Sequence, residues 1–344
     1  MLALQLTSDG MRLAEVPEPE PGPGEVLVEV TAAGLCHSDL TVAARRPDEL
    51  GFALPVVLGH ELAGTVAQVG AGVDGWQAGN AVAGYGPRGC GTCTGCVGGR
   101  VNYCRVGSDR RPPGLGADGA LAQYVVVEAG SLVAADGVPA LQAAALTDAG
   151  LTAHHAIART GVGEGAVVVV IGVGGLGHAA VQLLRERGCR IVALDVEQAK
   201  LDLALWLGAE AALTSVRGVE ADIADLTHGE GVDAVLDFVA SDATLGLAAG
   251  VLGRDGVLSI VGVGAGRLPV GMHAVALGTR VDTPFWGTRE ELVEVLDLCR
   301  SGRLTLEVES VGLEDVEAAY ARLAAGQVLG RVAAVPRAGT AERR

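Results

Sequence analysis

The apolar positions change their period along the chain. Glu25 to Thr31 (EVLVEVT) alternates apolar and polar residues, the two-residue period of a half-buried strand. Leu54 to Val69 (LPVVLGHELAGTVAQV) is β-branched and broken by glycines. These two segments predict a small, strongly turned barrel. From about Ala166 the rhythm becomes an apolar strand (AVVVVI), a glycine turn, a helix to about Arg187, the strand RIVALD, and the helix EQAKLDLALWL ended by Gly208. Asp233 to Val239 and Val257 to Val263 read as further strands with helical patterns between them. Such alternation predicts an α/β fold with a doubly wound parallel sheet and right-handed crossovers. The tail changes again. Thr288 and Glu291 form a capping box opening a helix to about Arg300, with Gly302 past its end. A second helix covers Leu313 to Ala325, and a short strand covers Arg331 to Val335.

Composition sharpens this picture. At 344 residues the chain is long enough for two domains. It is 49% apolar but only 3% aromatic, with 52 glycines, so the core is built from Ala, Val and Leu between many turns. Acidic residues number 41 against 25 basic ones, and a net charge of −16 argues against a nucleic-acid partner. Gly165 to Leu184 lacks charged residues over a length that resembles a membrane span, but its five glycines break that reading. No membrane partner is expected. The start, MLALQLTSDG, has no basic and apolar secretory pattern, and a cytoplasmic location is expected.

Cysteine usage agrees with a reduced compartment. Of seven cysteines, Cys90, Cys93, Cys96 and Cys104 crowd into fifteen residues, spaced C-x2-C-x2-C-x7-C. Four thiolates on one glycine-rich lobe (residues 88–106) are the donor set of a closed, structural zinc site, with iron the chemical alternative. Cys189 and Cys299 stand alone in apolar patterns as core thiols.

The glycine turn carries a second chemistry. Gly172, Val173, Gly174, Gly175, Leu176 and Gly177 spell G-x-G-x-x-G after a strand and before a helix, the context of a pyrophosphate-binding turn. Asp195 ends the next strand, where a carboxylate accepts hydrogen bonds from ribose hydroxyls and repels a 2′-phosphate, so NAD is expected over NADP. Lys200, the only lysine, reads either as an adenosine-ribose contact or as a solvated helix residue.

Cys36 in GLCHSD, His60 in LGHELAG and Asp148 in LTDAGLT each have a plain reading taken singly: a core thiol, a core histidine and a helix cap. Together, GLCHSDL, GHELAGTVAQVG, the four-cysteine lobe, LTDAGLTAHHA, VVVVIGVGGLGHAAVQL and TPFWGTREEL resemble the zinc-dependent medium-chain dehydrogenase/reductase family. Within it, the chain looks closest to the bacterial NAD-dependent secondary alcohol dehydrogenases.

The resemblance implies a GroES-like catalytic domain over residues 1–149, a Rossmann NAD-binding domain over 150–286, and a return to the catalytic domain over 287–344. It implies a catalytic zinc on Cys36, His60 and Asp148, beside the structural zinc. Many relatives have a cysteine in place of Asp148. A carboxylate oxygen also suits zinc and leaves the formal charge of the shell unchanged. Glu61 is a further candidate ligand or a nearby carboxylate. Asp39 is expected to orient the His60 imidazole. Ser38 matches the hydroxyl that accepts the alcohol proton, while Thr41 stands where many relatives place a relaying histidine. His37 and Arg331 match basic positions near the cofactor pyrophosphate, and His154 and His155 belong to the helix after Asp148. Phe52, Leu115, Phe285 and Trp286 match substrate-pocket positions and suggest medium-chain or aryl-alkyl secondary alcohols and their ketones. A homodimer or homotetramer is implied, with Arg280 to Phe285 pairing across subunits. The rivals are a zinc-free quinone or enone reductase of the same fold and a nonenzymatic NAD-binding relative. Zinc content separates them from the dehydrogenase.

Overall fold

A computed structural model describes residues 1–106, 111–214 and 218–336. The chain divides into two compact units. The first holds Met1–Asp148, Thr288–Ser301 and the chain from Glu307 onward. The second holds Ala149–Gly287 and Gly302–Leu306.

The first unit opens with β1 (Leu2–Thr7), β2 (Gly10–Glu15), β3 (Glu25–Leu35), α1 (His37–Ala43), β4 (Val56–Val57), β5 (Glu61–Val69) and β6 (Ala81–Gly84). It continues through α2 (Thr94–Val97), β7 (Tyr124–Glu128), β8 (Leu132–Ala134) and α3 (Ala140–Ala145). Next come α4 (Leu151–Thr160), β9 (Val167–Ile171), α5 (Gly177–Glu186), β10 (Arg190–Asp195), α6 (Gln198–Leu207) and β11 (Ala211–Thr214). The second unit closes with α7 (Val219–Leu226), β12 (Val232–Asp237), α8 (Asp242–Val251), β13 (Leu252–Ile260) and β14 (Arg280–Asp282). The chain then returns to the first unit with α9 (Arg289–Arg300), β15 (Val308–Gly312), α10 (Val316–Ala324) and β16 (Arg331–Val335).

In the first unit, β15-β16-β3-β5-β6-β8 lie side by side, with β7 also on β3, and β2-β1-β4 form a smaller sheet. Strand β3 runs on past Thr31 to Leu35, four residues beyond the alternating pattern. Ala32, Ala33 and Leu35 are all buried because this end of β3 lies between β5 and β16, so no polar alternation marks it. Leu4, Val28, Leu58, Leu121, Leu132 and Tyr320 belong to this unit's core.

In the second unit, β11-β10-β9-β12-β13-β14 form a parallel sheet with the order of a doubly wound fold. Val169, Ile171, Leu194, Val235 and Leu258 fill its core. Strand β12 stops at Asp237, two residues before the expected end, because Asp237 Oδ1 accepts the Val239 and Ala240 N–H groups (2.8 and 2.9 Å) and turns the chain. Strand β14 covers only Arg280–Asp282 of the expected Arg280 to Phe285. Gly302–Leu306, expected with the returning chain, belongs to this unit. Thr305 donates its N–H to Gln182 Oε1 (3.1 Å) and accepts Gln182 Nε2 on its carbonyl (2.9 Å). Among the described residues no helix is long and apolar enough to cross a membrane. The uncharged Gly165 to Leu184 stretch is divided between β9, the glycine turn and α5.

Candidate active site and metal centres

Sheet register assembles the first centre. Antiparallel pairing of β3 with β5 sets Gly34 opposite Glu61, and pairing of β3 with β16 sets Leu35 opposite Val332. Continuing each ladder by one residue brings Cys36, His60 and Arg331 to the same end of the sheet. Helix α3 packs on β3 and β5, and the wide π-helical turn Leu146–Gly150 that follows it carries Asp148 to the same place. Glycine is required at 34, since a Cβ there would overlap the Glu61 carboxylate, with Glu61 Cδ only 2.6 Å away.

Cys36 Sγ lies 3.5 Å from Asp148 Oδ2, and His60 Nε2 lies 3.9 Å from the same oxygen. One donor atom from each of Cys36, His60, Glu61 and Asp148 lies within 4.8 Å of the others. Neighbouring ligands around a tetrahedral zinc stand roughly 3.3–3.8 Å apart, so these donors fit one ion. The electrostatics fit as well. Burial works to lower the His60 pKa but is overridden by the Asp39 charge and by bonds to Asp148, Asp39 and Cys36, which raise it well above the ordinary value. A sulfur, an imidazole nitrogen and carboxylate oxygens are the donor types zinc takes. Among the described residues neither oxygen of the fully buried Glu61 has an aligned hydrogen-bond partner, and Oε1 is ion-paired with Arg331.

Asp39, completely buried, holds this centre from behind. Its Oδ1 accepts the His60 Nδ1–H (3.1 Å), which aims Nε2 at the Asp148 side. Its Oδ2 accepts the Cys36 N–H (3.0 Å) and the Tyr320 hydroxyl (2.7 Å). Burial, and then the Asp39 charge, push the Tyr320 pKa well above its ordinary value, so the phenol is a neutral donor. Ser38 Oγ lies 3.6 Å from Cys36 Sγ. The Thr41 hydroxyl is committed to the His37 carbonyl (3.0 Å), and His37 itself is exposed at the start of α1. Arg331 is buried and forms an ion pair with Glu61, with Asp148 Oδ2 3.9 Å from its Nη2. Its Nε and Nη2 have no aligned hydrogen-bond acceptor among the described residues.

The four-cysteine lobe is a second centre in the same unit. Cys90 and Cys96 sulfurs are 4.0 Å apart, Cys93 and Cys96 3.6 Å, and Cys93 and Cys104 3.9 Å, close to the edge of a tetrahedron with zinc–sulfur bonds of about 2.3 Å. Backbone N–H groups of Cys93, Cys104's neighbour Arg105, and Cys90 point at Cys90, Cys93 and Cys104 sulfurs at 3.3, 3.4 and 3.4 Å. Backbone N–H donation from Cys96, then Arg105, brings the Cys93 thiol down to about 6, while desolvation pushes Cys96 up to about 11. The lobe leaves no room for side chains at two glycines: a Cβ at Gly89 would lie 2.6 Å from Cys96 Sγ, and one at Gly95 2.6 Å from the Tyr103 carbonyl.

The glycine turn belongs to the second unit. Gly172 is left-handed (φ 86°) and donates its N–H to the Leu194 carbonyl (2.8 Å). A Cβ at Gly177 would overlap the Gly172 carbonyl, so only glycine lets α5 start this close to β9. Gly174 faces open space, leaving its backbone approachable by a ligand, with Gly175 and Leu176 completing the turn into α5. Asp195 Oδ2 accepts the Val173 N–H (2.8 Å), and Oδ1 accepts those of Val196 (2.7 Å) and Glu197 (3.1 Å). A carboxylate has about four acceptor positions, so one remains for a ribose hydroxyl. Lys200 Nζ pairs with Glu197 Oε1 at 2.7 Å. His178, unmarked in the sequence reading, donates Nδ1–H to the Gly174 carbonyl (2.8 Å).

Residues 22–137 match the family model of the alcohol dehydrogenase GroES-like domain, and residues 175–301 match that of the zinc-binding dehydrogenases. An NAD-dependent alcohol dehydrogenase of Sulfurisphaera tokodaii is 31% identical over 98% of this chain and 100% of its own. The chain belongs to the zinc-dependent medium-chain dehydrogenase/reductase family. Solved members of this family share the architecture. The alcohol dehydrogenase of Aeropyrum pernix superposes with a TM-score of 0.89 at 33% identity, covering 98% of this chain and 100% of that one. Acetophenone reductase from Geotrichum candidum, solved with NAD, gives 0.87 at 33% identity, covering 97% and 96%.

Of the residues expected at the site, the first unit of this dehydrogenase brings together Cys36, Ser38, Asp39, His60, Glu61, Asp148 and Arg331. Phe52, half-buried, packs on the first unit's core, and Leu115 is half-buried in the same unit. Phe285, half exposed, and buried Trp286 meet edge to face (5.7 Å) in the second. Tyr320 was not anticipated. Its one signal was a hydroxyl on the face of α10 that Val316, Ala319 and Leu323 mark as core, where a phenol needs a partner.

Proposed function

We propose that this dehydrogenase interconverts a secondary alcohol, aryl-alkyl or medium-chain, with its ketone, using Cys36, His60 and Asp148 to hold the catalytic zinc. The chain is an oxidoreductase of the alcohol dehydrogenase class with NAD and zinc as cofactors. The observation that carries the site assignment is the convergence of Cys36, His60 and Asp148 donors at zinc-shell spacing, from positions far apart in sequence.

When bound, zinc supplies a Lewis acid for the alcohol oxygen and NAD the acceptor for the carbinol hydride. Ser38 Oγ, beside Cys36, takes the alcohol proton in this scheme. Asp39 fixes the His60 ring and the Cys36 backbone together, so the two donors do not drift apart. The guanidinium of Arg331, ion-paired with Glu61 through Nη2 but with no aligned acceptor on Nε among the described residues, supports its reading as an anion-binding residue, with exposed His37 in the same role. The glycine turn offers backbone N–H groups at the α5 N-terminus to a pyrophosphate, and Asp195 and Lys200 serve the adenosine ribose. The proposal takes Phe52 and Leu115 of the first unit, and Phe285 and Trp286 of the second, as apolar substrate-contacting residues. The relation to an acetophenone reductase supports the aryl-alkyl class.

The four-thiolate lobe holds a structural zinc in this scheme. Dependence on reduced thiolates supports a cytoplasmic location. A homodimer or homotetramer is part of the same proposal, supported by the sheet-edge position of β14 and by exposed Val281 within it and Val270, Met272 and Leu277 in the chain before it.

Incubating the zinc-loaded protein with NAD and a panel of secondary alcohols, 1-phenylethanol included, should generate NADH absorbance. Cys36→Ala should abolish turnover and leave NADH affinity within about twofold. A variant keeping most of the wild-type kcat would refute the ligand assignment.

A further inference from the structure

We propose that Tyr320 is a positioning residue for the catalytic metal shell, acting through Asp39 on both Cys36 and His60. The inference rests on the reading of Cys36, His60 and Asp148 as zinc ligands, and it concerns the part of the first unit that lies behind them.

Asp39 sits at zero exposure, and a carboxylate there must have donors on both oxygens. Oδ1 is taken by the His60 ring and Oδ2 by the Cys36 backbone N–H and the Tyr320 hydroxyl, at 3.1, 3.0 and 2.7 Å. The shortest of the three comes from α10, 281 positions away in sequence. Rotation of the Asp39 carboxylate would move its contacts with both proposed ligands together. The Tyr320 phenol opposes that rotation, because its own ring is buried at 1% exposure in the core cluster that also holds Leu35, Val316 and Leu323. The fixed Oδ2 then determines where Oδ1 meets Nδ1–H, and hence the line along which the His60 Nε2 lone pair faces the metal position. A phenylalanine would fill the same space in the core. What it lacks is the donor, and the donor is the part aimed at the metal shell.

The test compares Tyr320→Phe with wild type as zinc-loaded full-length protein, reading zinc affinity and a spectroscopic signature beside activity. The probe for affinity is competition with a zinc chelator, which separates the more labile ion from the one held by four thiolates. Residues that support a ligand typically contribute about 10–100-fold in metal affinity, and one step further out we expect loss of the labile zinc about 3- to 10-fold more readily. Cobalt placed in the emptied labile site should show shifted visible bands in the variant. Asp39→Asn should move both readouts the same way, and the double variant should add little to Asp39→Asn alone, since Tyr320 acts through that carboxylate. Unchanged labile-zinc affinity and cobalt bands in Tyr320→Phe would overturn the proposal and leave a packing role. Wild type that binds one zinc per chain would instead overturn the metal shell on which it rests. Full additivity of the two variants would show that Tyr320 does not act through Asp39.

Discussion

Gly89→Ala isolates the structural centre, because the added methyl meets the thiolate cluster. Gly89 has a φ outside the left-handed region, so alanine adds no backbone strain there. The new Cβ would lie 2.6 Å from Cys96 Sγ, 3.0 Å from Val101 Cγ1 and 3.6 Å from Cys104 Cβ. The first of these is about 1 Å inside ordinary contact of ~3.5–4 Å. Val101 can rotate, whereas Cys96 is held to its place by the other three sulfurs once an ion is bound. Overpacking of this kind costs about 1–3 kcal/mol. Borne by the metal-bound form alone, that is roughly a 5- to 150-fold loss in zinc affinity at this lobe. For a unit of about 200 residues it is a fall in Tm of about 3–9 °C. The assay is thermal unfolding of wild type and variant, each with and without chelator strong enough to strip both zinc ions, with zinc content measured in parallel. The variant should melt lower when metal-loaded, and the two proteins should coincide once stripped. An equal gap with and without chelator would place the clash in the polypeptide instead of the cluster, and no gap in either state would refute convergence of the sulfurs at this geometry.

Other perturbations test other parts of the molecule. Asp195→Ser should narrow the preference for NAD over NADP, measured as the ratio of kcat/KM values; an unchanged ratio would leave Asp195 only its role of holding the Val173 turn. Burial lowers the His178 pKa to about 4, below its ordinary 6.5, so as pH falls the unfolded chain takes up this proton first. Stability is therefore lost between pH 6.5 and 4, about 2 kcal/mol of it between pH 7 and 5. His178→Asn should lose less stability over that interval in urea titrations, and parallel losses would exclude His178 as the source. Arg331→Met strands the buried Glu61 carboxylate and should cost about 3–5 kcal/mol, while adding Glu61→Gln should recover more than half of it. A single-variant loss under about 1 kcal/mol would show that the pair is not needed for folding.

What the sequence disclosed follows from how locally each feature is encoded. The four-cysteine lobe was legible because its sulfurs fall within fifteen residues, and the glycine turn because strand, turn and helix follow one another without interruption. Strand β2 (GMRLAE) was not, since none of its residues is buried and nothing alternates. Helix α1 was missed too: HSDLTVA spans two turns and carries two β-branched residues. The Cys36, His60 and Asp148 shell left no spacing signal at all. Asp148 lies 112 positions from Cys36, and the two meet through the β3–β5 register and the turn after α3. Only likeness to a known family pointed to it. The Glu61–Arg331 ion pair and the Tyr320–Asp39 bond were invisible for the same reason, being products of sheet register and helix packing.

The return of the chain to its first unit is explained by the two carboxylates that β5 and α1 bury there. Asp39 and Glu61 both have zero exposure, and each depends on a group from the last part of the chain: the Tyr320 hydroxyl for Asp39, and the Arg331 guanidinium for Glu61. Buried charge without such partners costs several kcal/mol per group. A first unit ending before Thr288 would hold the three proposed ligands but leave both carboxylates around them short of a partner. The C-terminal segment therefore completes the surroundings of the proposed metal site, and strand β16 does so through the antiparallel register with β3 that sets Cys36 beside it. On this argument the long insertion of a nucleotide-binding unit is tolerated because the strand that flanks β3 at the end carrying the proposed ligands, β16, comes after the insertion.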